Sequence, residues 1–121
     1  MIQVLSVLPC SRALNGPNGF HVKAGSFVRN IFQPEFRDID FVVCLRVEGE
    51  PPPEVEVEVL DPWTETLYRG SVSRELELVS PIHQVCVTVQ NVILRETGEH
   101  AFQLILNGAR VFTGPLWGYN R

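Results

Sequence analysis

A chain of 121 residues, 45% hydrophobic and 20% charged, with a net charge of −4, has the size of one domain and the composition of an ordinary folded protein. Its ten basic residues are nine arginines scattered singly and Lys23, so no basic face is present to neutralise phosphates, and nucleic acid is set aside as a partner. No apolar run approaches the roughly 20 residues of a membrane-spanning helix.

The opening Met1–Cys10 lacks the charged start and apolar middle of a secretion signal, so a cytoplasmic protein is expected. The cysteines Cys10, Cys44 and Cys86 are odd in number and widely spaced. Free thiols in a reducing compartment fit them best, with a Cys44–Cys86 bridge between two strands as the alternative.

Nearly every periodic segment alternates with a period of two, and none keeps helical spacing over ten residues. A first strand is predicted over residues 2–9. The turn formers Asn15-Gly16-Pro17-Asn18-Gly19 then make an exposed connection, followed by a strand over 20–29 bent at Gly25. Residues 30–38 read as a loop carrying Pro34, with Ile31, Phe32 and Phe36 tucked under it. The clearest core strand is 39–48, with Phe41, Val43, Leu45 and Val47 on one face and Val42, Cys44, Arg46 and Glu48 on a wet one.

Pro51-Pro52-Pro53 is a stiff connector that cannot join a ladder. Residues 54–60 alternate most strictly, placing Val55, Val57 and Val59 inside and Glu54, Glu56 and Glu58 outside. After the turn Asp61-Pro62-Trp63-Thr64, residues 66–79 form one bent strand or two short ones around Gly70. Residues 82–90 set Val85, Val87 and Val89 against Gln84, Cys86, Thr88 and Gln90, whose face is expected to meet solvent. His100, Phe102, Leu104 and Leu106 begin the next strand. Asn107-Gly108 is the strongest hairpin signal, and the last strand is placed at 109–113, because the tail beyond is rich in Gly and Pro.

Seven to nine short antiparallel strands with regular turns predict an all-β chain, an immunoglobulin-like Greek-key β-sandwich over residues 1–121, with a small barrel as the alternative. The succession Phe41 to Val47, Val55 to Pro62, Thr97 to Leu104 and Asn107 to Val111 resembles the plan of immunoglobulin-like and fibronectin-like modules. It is similar in particular to a family of small single-domain bacterial proteins of this type whose function is uncharacterised. Antibody-type domains join facing strands by a disulfide beside a buried tryptophan. Here Cys44 and Cys86 lie on faces carrying Arg46 and Thr88, and Trp63 sits in a turn. The resemblance therefore implies a fold and transfers no catalytic residue.

Candidate sites are few. His83 and Cys86 have metal-ligand character, but positions three apart on a strand face opposite ways, so no metal or other cofactor is expected. Ser11, Ser26, Ser71, Ser73 and Ser80 lie outside any nucleophile elbow, and Gly16–Gly19 lacks the residues of a phosphate loop, so no enzyme is expected. The loop residues Phe32 and Phe36 and the tail residues Leu116, Trp117 and Tyr119 are the candidate protein interface, because aromatic side chains anchor interfaces. Glu54, Glu56 and Glu58 form a candidate acidic docking face, competing with pairing to Arg46, Arg69 or Arg74 within the sheet. A protein-interaction or structural module, with a protein partner or a homodimer, is the expected function. Carbohydrate or small-ligand binding, with stacking on Trp63, Tyr68 or Trp117, is the alternative.

Overall fold

The computed structural model describes residues 1–10, 12–16, 19–22, 31–32, 37–77, 81–94 and 98–118. The bend expected at Gly25 and the residues Phe36 and Tyr119 lie outside these. All ten elements among the described residues are strands: β1 (Ile2–Cys10), β2 (Ala13–Gly16), β3 (Gly19–Val22), β4 (Ile31–Phe32), β5 (Arg37–Val47), β6 (Val55–Leu60), β7 (Thr66–Glu77), β8 (Ile82–Val92), β9 (Gly98–Leu106) and β10 (Ala109–Gly118).

Eight of them make one hydrogen-bonded sheet in the order β1-β5-β8-β7-β6-β9-β10-β4, antiparallel except where β4 runs parallel to β10. One central strand explains its continuity. β7 is one long bent strand whose first half pairs with β6 and whose second half pairs with β8, with a bulge between Val72 and Arg74. At the bend a Cβ on Gly70 would lie 2.4 Å from the Thr88 carbonyl oxygen, so the close backbone approach requires glycine there. Bulge and glycine together let the sheet turn back on itself.

The curl brings the inner faces of β5 and β8 over those of β6 and β9. Ile39, Phe41, Val43, Leu45 and Val47 meet Val55, Val57 and Val59, and Val85, Val87 and Val89 meet Phe102, Leu104 and Leu106, in one buried cluster. Phe41 and Phe102 touch across it with ring centroids 5.0 Å apart. Tyr68, half-buried on β7, packs against the same cluster and exchanges 3.2 Å hydrogen bonds with the backbone of Ile93. The alternation predicted for 39–48, 54–60 and 82–90 is thus the core of the fold.

Two expectations change. The last strand continues to Gly118, because Pro115 stands opposite Ala101 on an outer strand where a missing N–H is tolerated. The face of β8 expected to be wet is dry at Cys86, because the hairpin of β2 and β3 covers it and buries Cys10, Ala13, Val42 and Cys86 as a second small cluster. The Asn107-Gly108 hairpin is present, with both residues at positive φ (49° and 82°) as a two-residue turn of this kind requires.

Candidate functional site

The sheet ends in two edges. Among the described residues β1 is hydrogen-bonded only to β5, in a register that shifts between Val4 and Ser6, and leaves Leu5 exposed. From Ile2 to Cys10 it carries no charged side chain. At the other margin β10 pairs with β9 along its length, while β4 covers only Trp117 and Gly118. Among the described residues, Ala109–Leu116 therefore has an open side, and the bulge between Arg110 and Phe112 presents Val111, 48% exposed. Arg110, the one charge of β10, turns across the sheet to Gln103, 2.8 Å away, and toward Glu58, 3.7 Å away.

The structure brings together two of the segments singled out from the sequence: Ile31 and Phe32 pair through their backbones with Trp117 and Gly118. Leu116 is a correction, since it is fully buried in the core and offers nothing to a partner. Its position on β10 opposite His100 puts it on the inner face, where alternation carries it inward.

The acidic stripe is also divided. Glu54 is exposed and Glu56 half-buried, but Glu58, expected outside, is fully buried. It lies on the outer face beneath Arg69, which bonds to it directly, with Thr66 Oγ1 donating at 3.2 Å. Burial pushes the Glu58 carboxyl up, but the hydrogen bond and charge of Arg69, then Thr66 and Arg110, outweigh it and hold the group below its ordinary range. Arg69 also approaches Glu56 at 3.7 Å. Glu58 is thus the centre of a cross-strand ion network, one of the pairings weighed from the sequence.

A second network ties the β2–β3 hairpin to the sheet. Asp40, almost buried, accepts hydrogen bonds from the Ala13 backbone N–H at 2.8 Å and from Thr88 Oγ1 at 2.7 Å. Arg74 donates to the Ala13 carbonyl at 2.6 Å and to Asn15 Oδ1 at 3.2 Å, and its guanidinium lies 5.2 Å from the Phe20 ring centre. Gln84 Oε1 accepts from the Phe20 N–H at 2.8 Å. Below lie the thiols. Burial, then Asp40 and Cys86, push Cys10 up to about 12, and burial and Asp40 raise Cys86. Cys44, half-buried, is also a free thiol and is raised by burial. Such thiols are protonated and inert at neutral pH.

His83 and Cys86 are separated: His83 continues the inner-face row of β8 and Cys86 belongs to the outer cluster. Among the described residues no group of three or more His, Cys, Asp and Glu side chains is placed to hold a metal ion, and no helix is long and apolar enough to cross a membrane. Of the stacking candidates, Trp63 is 70% exposed in its turn, but Tyr68 is committed to the core and Ile93, so the two do not share a platform. The lack of charge on β1 is visible in the sequence, but it reads as an open edge only once the strand order is known. Searches of protein-family models, characterised proteins and solved structures found no match to this chain.

Proposed function

We propose that the protein is a non-enzymatic, immunoglobulin-like interaction module that recognises another polypeptide by strand addition at its open sheet edges. The carrying observation is β1: nine residues of edge strand with no charged side chain and an exposed leucine. Monomeric proteins guard such edges with charges, because unpaired N–H and C=O groups template further pairing. An edge without charges suits a partner strand, with backbone hydrogen bonds supplying affinity. Strand order supports the immunoglobulin-like plan. Counting the seven long strands among the described residues, the first, second, fifth and the latter half of the fourth lie on one side of the bend in β7, and its first half with the third, sixth and seventh on the other. The partner is a protein, a second copy of the chain among the candidates, in the cytoplasm.

The test is capture of the tagged protein from its native source, with three variants on exposed sites. Leu5→Lys charges β1, Thr113→Lys charges β10, and Gln90→Lys serves as the control on the outer face. A stoichiometric polypeptide that survives in the control and is lost with one edge variant supports strand addition. A polypeptide retained by both edge variants contradicts it.

A further inference from the structure

At one end of the curled sheet the core opens into a cavity of about 180 Å³. Its walls are the ends of the inner-face rows, Leu45, Val47, Val55 and Val85, and its roof is Pro52 and Pro53. The roof is stiff in itself and held at both ends. Ahead of it the Glu48 N–H donates to the Met1 carbonyl at 2.9 Å. Behind it Glu54 and Asn107 exchange two hydrogen bonds of 2.9 Å, one from each backbone N–H. The space is therefore preformed and needs no loop to close.

Of its three polar lining residues among those described, Gln84 is engaged by the Phe20 N–H, and His83 and Glu75 stand at its mouth. Pairing opposite Leu45 puts His83 on the inner face, and pairing opposite Val85 puts Glu75 there. Among the described residues neither has a hydrogen bond or an ion pair. The buried and half-buried Glu58, Asp40, Gln84 and Arg74 are engaged within the sheet, whereas half-buried His83 and exposed Glu75 are not. Apolar walls with a few convergent polar groups are the usual make-up of a small-molecule site.

We propose that this cavity binds a small organic ammonium ion with a compact apolar body. A volume near 150 Å³ accommodates a benzene ring, so the body is an aryl or branched alkyl group against the valines. Among the described residues Glu75 is the only charged side chain lining the cavity, and its carboxylate selects a cation. The His83 imidazole offers a second polar contact to the same head. The site is distinct from the sheet edges.

The probe is benzylammonium, titrated into the full chain and followed by methyl NMR, with benzyl alcohol and benzoate as comparisons. Saturable shifts at Val47, Val55 and Val85 are expected, with benzyl alcohol and the Glu75→Gln variant each weaker by about tenfold and benzoate silent. Glu75 is exposed, so the variant keeps the fold. Equal affinity for the alcohol or in the variant, saturation by benzoate, shifts that map elsewhere, or no saturation by benzylammonium would each overturn the proposal.

Discussion

Phe41 on β5 and Phe102 on β9 are four places apart in the strand order, yet their rings meet at 5.0 Å. Antibody-type domains bridge facing strands with a disulfide; here two rings make the contact. Both are buried, so Phe102→Ala is expected to cost about 3–5 kcal/mol. A double-mutant cycle with Phe41→Leu should show coupling of about 0.5–1.5 kcal/mol. Denaturant unfolding of the four proteins measures both, and strict additivity would contradict a direct ring contact.

Gly70→Ala tests the bend in β7. An added methyl would press on the Thr88 carbonyl and on Val89, 2.8 Å away. Backbone cannot yield as a side-chain tip does, so the expected loss is about 1–3 kcal/mol. The same change at Gly108 meets no atoms within 4 Å, and its cost there comes from the positive φ alone. Comparing the two melting curves separates crowding from conformational strain.

Glu58 makes stability depend on acid. Its folded pKa lies below the ordinary 4.5, so the folded state favours the charged form. That contribution is complete above the unfolded value and is lost as pH falls through the folded one. Glu58→Gln should lose about 1–3 kcal/mol at neutral pH, and the gap to the parent should close toward about pH 2. Urea denaturation across that range checks this; parallel curves would show that Arg69 does not bias the titration.

Arg74 and Asp40 hold the hairpin over Cys10 and Cys86. In the folded protein these two thiols should resist a thiol reagent while Cys44 reacts slowly, and all three should react once denatured. Arg74→Ala removes the bond to the Ala13 carbonyl and the contact with Phe20, and should speed labelling of Cys86. The same thiols act at high pH. With its folded pKa raised from 9.0 to about 12, Cys10 contributes stability that is complete below the lower value and lost as pH rises toward the upper. Cys10→Ala should flatten that part of the profile.

The core was legible because period-two alternation in 39–48, 54–60 and 82–90 reports directly which side chains turn inward. Burial on the outer face was not, because it depends on what crosses over it. Cys86 is dry on account of a hairpin some 70 residues earlier, and Glu58 is buried by arginines brought alongside by strand pairing. The same holds for the tail. Pro115 looks like a strand breaker in one dimension and is harmless on an outer strand. Pro52 and Pro53, read as part of a plain connector, become the roof of a cavity only when the sheet curls beneath them.

Hydrogen exchange, read amide by amide on the chain alone and in the complex captured from its native source, tests strand addition most directly. Amides of Ile2–Cys10 or Ala109–Leu116 that exchange quickly in the isolated chain should become strongly protected in the complex, with the outer face of β7 and β8 unchanged. Unaltered exchange at both edges, with new protection elsewhere on the surface, would contradict recognition by strand addition.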